Sequence, residues 1–230
     1  MKKYGVFDIM GPTMIGPSSS HTAGAARLGK MARYLCGGSV ASVRFLLHGS
    51  FGQTYRGHGT DKALLAGMMG INSDDYRLRD AFSIADAQGL QYSFEPADLG
   101  DVHPNTVRFE IVTKDGRQIS VTGSSIGGGS VVITQIDDIS VYFTGENPIL
   151  ITKHKDAPGI VSRIADLLYR AVINIGNMRV NRADGAKTAT MYIELDKPLD
   201  KQLIDEIRKI PGIDEVLVLD VGMEGVNHAL

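Results

Sequence analysis

Asp156-Ala157-Pro158-Gly159-Ile160 separates a short apolar run from an apolar pattern with helical spacing. Before it, Ile149-Leu150-Ile151-Thr152 has the composition of a buried strand. After it, residues 160–168 place apolar side chains three or four positions apart, as along one face of a helix. Proline and glycine between the two favour a turn. We therefore expect a strand, a tight turn and a helix here.

The same kind of pattern continues towards the C-terminus. Ile173–Val180 and Ala189–Leu195 are strand-like, with the turn residues Ala183-Asp184-Gly185 between them. Asp200 is placed to cap a second helix, and Val216–Leu219 is the last strand-like run. The order βαββαβ predicts a ferredoxin-like domain, a four-stranded antiparallel sheet with two helices on one face.

The first part of the chain has a different pattern. The turn cluster Gly145-Glu146-Asn147-Pro148 separates the two parts, so we expect two domains, residues 1–145 and 149–223. Helix and strand patterns are mixed in the first, which makes the predicted fold class α+β. Its predicted helices cover residues 21–35 and 60–69, and its predicted strands cover 40–47, 92–94, 106–113, 118–122, 130–136 and 139–143.

A hydroxyl-rich segment, Gly16-Pro17-Ser18-Ser19-Ser20-His21-Thr22 (the serine motif), directly precedes the first predicted helix. The N-terminus of a helix offers unpaired N–H groups and a positive dipole end, which suit a small anion such as a carboxylate. One serine is enough to cap a helix. Three serines in succession, followed by histidine and threonine, exceed that need and favour ligand binding.

A second segment, Gly57-His58-Gly59-Thr60-Asp61-Lys62-Ala63 (the histidine motif), places glycines around a histidine before another predicted helix. The positive end of a helix dipole favours a neutral imidazole, which can accept a proton. The alternative is a loop histidine exposed to water. Together the two motifs predict a site that holds an acid and moves a proton.

Two further segments could contribute to such a site. His103-Pro104-Asn105-Thr106 enters a predicted strand, where Asn105 could orient a ligand through its amide or serve only the turn. Ser124–Ser130, with its three consecutive glycines, could form a backbone nest for an anion or a flexible loop between strands.

The composition narrows the class of protein. Hydrophobic residues make up 43% and charged residues 22%, as in an ordinary soluble protein, and the net charge of −2 gives no reason to expect nucleic acid or an anionic membrane as a partner. The first residues lack the apolar stretch of a signal peptide, so we expect a cytoplasmic protein. A single cysteine, Cys36, excludes internal disulfides and an all-thiolate metal site built from this chain alone.

The four segments occur in one order and are followed by the βαββαβ pattern, a combination that resembles the β chain of the bacterial iron–sulfur L-serine dehydratases. The resemblance implies a subunit of an enzyme that converts L-serine to pyruvate and ammonia with a [4Fe–4S] cluster. Such a cluster needs three or four thiolate ligands, and this chain has one cysteine. In the two-chain members the ligands belong to the α chain, which the resemblance makes the expected partner.

The resemblance also implies roles for individual residues. The general base would be His58, although the base could instead come from the partner chain. Asn105 would be a weaker substrate contact. The substrate carboxylate would be bound by Ser18, Ser19, Ser20, His21 and Thr22. The first domain would be the one also found as an allosteric substrate-binding domain in some phosphoglycerate dehydrogenases.

The second domain resembles an ACT domain, a module that senses small molecules. In such domains the loop after the first strand and the start of the second strand often bind an amino acid across a dimer interface; the corresponding residues are Asp156, Pro158, Gly159, Ile160 and Asn174. The alternative is a loop that only turns the chain in a domain that only dimerises. For the whole chain, a non-catalytic amino-acid sensor that regulates a partner is the main competing hypothesis, and a scaffold protein is a third.

Overall fold

The computed structural model describes residues 14–182 and 187–220. The chain divides between Thr144 and Gly145 into two compact units. The turn predicted at residues 183–185 lies outside the described residues. Within the described part of the chain, no helix has the length and apolarity needed to cross a membrane.

The first unit begins with a π-helical turn, Ser19–Gly24 (the π-turn), which runs directly into a helix. A short 3₁₀ turn, Tyr76–Asp80, precedes the fourth helix. The regular elements are α1 (Ala25–Cys36), β1 (Val40–Leu47), α2 (Gly49–His58), α3 (Thr60–Met68), α4 (Ala81–Ala87), β2 (Gln91–Pro96), β3 (Thr106–Thr113), β4 (Gln118–Gly127), β5 (Ser130–Ile136) and β6 (Ile139–Phe143).

The strands of the first unit form one sheet in the order β2-β1-β3-β4-β5-β6. Strands β1 and β2 are parallel and the other neighbours are antiparallel. Leu47 lies opposite Val107, and Thr106 lies opposite Ser124. The last residues of β1 and β4 therefore lie beside the first residues of β3. We call this end of the strands the edge of the sheet, and it carries the candidate site.

Two glycines let α1 and α3 pack with their backbones in contact. A Cβ atom on Gly29 would lie 2.9 Å from the backbone nitrogen of Met68, and one on Gly67 would lie 2.9 Å from that of Lys30. Neither glycine has a positive φ, so it is space that selects glycine here. The fully buried side chains around this contact include Leu28, Met31, Leu64 and Leu65. The close contact fixes the first half of α1 against the second half of α3.

The second unit has the predicted ferredoxin-like order. Its sheet has the order β10-β7-β9-β8 with every neighbour antiparallel, and the buried side chains of α5 and α6 share one core with it. The Asp200 carboxylate accepts the N–H of Leu203 at 2.7 Å, as a helix cap does. This confirms the α+β class and the βαββαβ order. The elements are β7 (Ile149–Lys155), α5 (Ile160–Arg170), β8 (Ile175–Arg182), β9 (Thr188–Leu195), α6 (Lys201–Arg208) and β10 (Ile213–Leu219).

The structure differs from the sequence-based expectations at several places of the first unit, and one of them is α4, a helix that was not predicted. Strand β4 continues to Gly127, so Ser124 and Ser125 are buried strand residues and not part of a flexible loop. Helix α2 was not predicted, because glycine recurs along it. Its first residue, Gly49, has φ +54° and packs so closely on Pro104 that a Cβ would lie 2.7 Å from the carbonyl oxygen.

Candidate active site

The serine motif and the two ends of α2 meet at the edge of the sheet. The Nε2 atom of His21 lies 3.1 Å from the Oγ atom of Ser50. The imidazole rings of His21 and His58 lie edge to face with centroids 4.8 Å apart, and the ring of Phe51 is 5.3 Å from that of His21. The structure therefore brings the two motifs together and puts their histidines in direct contact.

Ser18 serves as the cap that ordinary helix chemistry predicts, and it also contacts the imidazole. Its hydroxyl accepts the backbone N–H of His21 at 3.2 Å and lies 3.4 Å from Nδ1 of the same residue. Ser19 and Ser20 follow in the π-turn and are half-buried, while Thr22 is buried. Capping thus accounts for Ser18, and the partly exposed Ser19 and Ser20 are the two serines left for a ligand.

The π-turn brings the serine motif against the end of β4. A Cβ atom on Gly24 would lie 2.9 Å from the Cβ of Ser125, so only glycine fits at the end of the turn. Isolated π-helical turns are rare and occur often at functional sites.

The segment containing Asn105 lies between α2 and β4. The carbonyl of Pro104 accepts the N–H of Phe51 at 3.4 Å, and the carbonyl of Asn105 accepts the N–H of Ser125 at 3.0 Å. The serine motif, the beginning of α2, residues 103–106 and the end of β4 therefore form a closed ring of contacts. Three of the sequence segments singled out above share this edge with the histidine motif.

Several buried polar atoms of this region have no hydrogen-bond partner within the described residues. Leaving a buried polar group unpaired costs about 1–3 kcal/mol, so native structures contain few of them, mostly at sites with a function. The atoms are Thr22 Oγ1, His58 Nδ1, Thr60 Oγ1, Asn105 Oδ1 and Ser125 Oγ. These unpaired atoms reduce the stability of the fold at this edge of the sheet, as is common at functional sites.

The electrostatics of the site favour a neutral His21. Burial lowers the pKa of His21, and the neighbouring imidazole of His58 lowers it further. In the histidine motif, burial raises the pKa of Asp61, although the N–H of Lys62 donates to its carboxylate at 2.8 Å. The site therefore favours the neutral form of His21.

The surroundings of His58 include a helix that was not expected. His58 is the last residue of α2, and Gly59, with φ +69°, links it to α3. His58 therefore ends one helix and, as predicted, directly precedes the capping residue of the next. The exposed-loop alternative is wrong, because His58 is half-buried and its Nδ1 atom has no accessible surface.

Ser50 is the residue that the sequence reasoning missed. It follows Leu47-His48-Gly49 at the end of a predicted strand, in a stretch that was assigned to no element. A glycine and a serine directly after a buried strand are a turn and capping signal, and this signal could have pointed to the beginning of α2.

The loop of the second unit borders a cavity. Asp156 forms an ion pair of 3.0 Å with Arg182, and both line a cavity of about 570 Å³ together with Pro158 and Gly159. Ile160 is instead buried in the core of the unit. Asn174 precedes β8 at the opposite end of the sheet from the loop, since Ile175 pairs with Leu195 and Lys155 with Thr188. Within one copy of the chain, the structure therefore does not bring Asn174 to the loop.

Comparison with known proteins supports the sequence-based assignment. The family profile described as serine dehydratase beta chain matches residues 5–136, and the ACT domain profile matches residues 149–212. The chain belongs to the serine dehydratase beta chain family. This serine dehydratase beta chain domain contains all four segments of the candidate site, and the ACT domain contains the loop at residues 156–160.

Individual relatives extend over nearly the whole serine dehydratase beta chain. A protein named probable L-serine dehydratase, beta chain, from Bacillus subtilis (strain 168) is 42% identical over 216 residues, 94% of this chain and 98% of that protein. The L-serine dehydratase, beta chain, of Peptoniphilus asaccharolyticus is 39% identical over 204 residues, 88% and 92% of the two chains. A D-3-phosphoglycerate dehydrogenase of Synechocystis sp. is 26% identical over 193 residues, which are 82% of this chain and 34% of that protein.

Proposed function

We propose that this chain is the β subunit of a heteromeric, cytoplasmic L-serine ammonia-lyase, which converts L-serine to pyruvate and ammonia. The observation that carries the proposal is the contact of His21 with His58 beside the serine motif. This contact places a candidate base beside hydroxyl groups that could donate hydrogen bonds to the substrate carboxylate. Close relatives of the chain bear the name L-serine dehydratase, beta chain.

The residues of this chain have two tasks in such a reaction. The partly exposed Ser19 and Ser20 of the serine motif hold the substrate carboxylate, Ser18 and His21 lie beside them in the same motif, and Asn105 is a further contact. Donors around the carboxylate stabilise the charge that develops there when the Cα proton leaves. His58 accepts that proton through Nε2, because its Nδ1 atom is buried.

The [4Fe–4S] cluster belongs to the partner in this proposal. The residues of this chain do not fit it, since the single cysteine, Cys36, is buried and its thiol points at the carbonyl oxygens of Arg33 and Gly38 at 2.9 and 3.4 Å. We therefore place the cluster on the α chain and assign no step of this chain to it.

Reconstitution tests the proposal. We expect pyruvate to form from L-serine only when this chain is mixed anaerobically with an α chain of the family, iron and sulfide, and not with either chain alone. The measurement is the rate of pyruvate formation, with each single-chain preparation as its control. An inactive mixture of well-folded, associated chains would count against the lyase function.

The serine motif is tested by its variants. Replacing Ser18, Ser19 and Ser20 together by alanine should raise the KM for L-serine at least tenfold, because each lost donor to a charged group costs about 1.5–3 kcal/mol. The Ser19→Ala/Ser20→Ala double variant keeps the Ser18 cap and separates binding from helix stability. Ser93→Ala, an exposed serine on β2, is the matched control. An unchanged KM in the triple variant would contradict the carboxylate assignment.

The cavity beside Asp156 and Arg182 favours a second function, which is amino-acid sensing by the ACT domain. In this proposal the chain forms a dimer, and Asn174 of the other copy completes the binding site. Calorimetric titration of this chain alone with single amino acids tests it. Binding that is lost in Gly159→Val but does not change the activity of the mixture would favour a sensor that acts on another partner.

A further inference from the structure

Both ring nitrogens of His21 lie next to serine hydroxyls. On one side the Oγ atom of Ser18 is 3.4 Å from Nδ1, and on the other the Oγ atom of Ser50 is 3.1 Å from Nε2. Ser50 belongs to no motif discussed above, and its hydroxyl reaches the imidazole from a different element. The three side chains form a continuous chain of hydroxyl, imidazole and hydroxyl.

The backbone favours one direction for this chain of hydrogen bonds. A serine hydroxyl has one proton to donate. The Oγ atom of Ser18 already accepts the backbone N–H of His21, and donation of its own proton to Nδ1 uses both of its hydrogen-bonding roles. A neutral His21 that accepts at Nδ1 carries its own proton on Nε2 and donates it to Ser50. The proton of the Ser50 hydroxyl then points away from His21.

We propose that Ser50 is a further residue of the carboxylate site: the Ser18–His21–Ser50 chain holds His21 as the Nε2–H tautomer and directs the Ser50 hydroxyl towards the substrate carboxylate. The contact between Ser50 and the substrate carboxylate rests on the proposed function, whereas the Nε2–H tautomer of His21 does not.

The surroundings of Ser50 support the proposal. Ser50 is half-buried, so its hydroxyl remains within reach of a ligand. The contact of Gly49 with Pro104 and the hydrogen bond of 2.7 Å from Thr54 Oγ1 to the Ser50 carbonyl hold its backbone in place. The lowered pKa of His21 keeps the ring neutral, as the directed chain requires.

The tautomer is tested on this chain alone by ¹⁵N NMR of labelled histidines at pH 8. We expect His21 to carry its proton on Nε2 in the wild type and to become a mixture of tautomers in Ser50→Ala. Gln53→Ala changes an exposed residue of the same helix, and Ser50→Thr keeps the hydroxyl; both should retain the wild-type spectrum. A wild-type His21 protonated on Nδ1, or an unchanged tautomer in Ser50→Ala, would overturn the directed chain.

The substrate contact is tested in the active mixture with the α chain. Ser50→Ala should raise the KM for L-serine about tenfold, the effect of losing one donor to a charged group, with a smaller change in kcat. Ser50→Thr should restore KM, and Gln53→Ala should leave it unchanged. A wild-type KM in Ser50→Ala overturns the contact, provided that the triple-alanine variant of the serine motif raises KM. If that variant also has a wild-type KM, it is the proposed carboxylate site that fails.

Discussion

His58→Ala should lower the kcat of the reconstituted lyase by about 10²–10⁴-fold, the usual contribution of a positioned general base. The His58 side chain is half-buried at the end of α2, so we expect the variant to fold and to associate with the α chain as the wild type does. Steady-state pyruvate formation gives kcat, and circular dichroism and gel filtration check the fold and the association.

The matched control is Gln53→Ala, an exposed residue of the same helix, which should have wild-type kinetics. His58→Asn, which can form hydrogen bonds but does not take up the proton, should be as impaired as His58→Ala. A kcat within a few-fold of the wild type in both His58 variants would remove His58 as the base and leave the partner chain as its source.

Gly67→Ala should cause the largest loss of stability among single-methyl changes in the first unit. The new Cβ would meet the backbone of α1, including the nitrogen of Lys30 at 2.9 Å, and backbone cannot rotate away as a side chain can. Overpacking of a core typically costs about 1–3 kcal/mol, and a clash with backbone belongs at the upper end. Urea unfolding of the chain, followed by circular dichroism, measures the change.

Gly57→Ala is the control for this experiment. Gly57 also lies in a helix, but a Cβ there would meet no atom within 4 Å, and its φ is not positive. The same added methyl group should therefore stabilise the chain by about 0.5–1 kcal/mol, through helix propensity alone. Equal unfolding midpoints for the two variants would show that the close approach of α1 and α3 does not limit stability.

The second unit could be predicted from the sequence because its signals are local. The spacing of apolar residues over 160–168, the capping residue Asp200 and the turn at Pro158-Gly159 each specify an element without help from distant parts of the chain. The structure has these elements in the predicted order, with α5 from Ile160 and α6 capped by Asp200. The prediction failed only at element ends, for example at β10, which begins at Ile213 and not at Val216.

Helix α2 could not be predicted because its stability comes from tertiary contacts. Its sequence has glycine at positions 49, 52 and 57, and glycine costs about 1 kcal/mol relative to alanine inside a helix. The N–H of Phe51 instead finds its partner on Pro104, more than fifty residues along the chain. This is also why Ser50 was overlooked and why the helix that ends at His58 was missed.

The meeting of the serine and histidine motifs was a hypothesis based on their chemical similarity and on a resemblance. No local pattern states that His21 and His58 touch, since that contact depends on the packing of α1 against α3 and on the length of α2. The structure adds the contact, the chain through Ser50 and the unpaired oxygen atoms around it. The roles of these residues in turnover stay predictions until the variants are measured.

The π-turn has a consequence for the direction in which His21 points. Each residue of a regular α-helix advances about 100° around the helix axis, and a wider turn shifts every preceding residue relative to the helix that follows. The direction of the His21 imidazole about the α1 axis therefore depends on the number of residues between His21 and Ala25, where α1 begins. Side-chain substitutions in the π-turn leave this direction unchanged. Deletion of one residue between His21 and Ala25 would rotate the imidazole about the α1 axis by up to about a third of a turn.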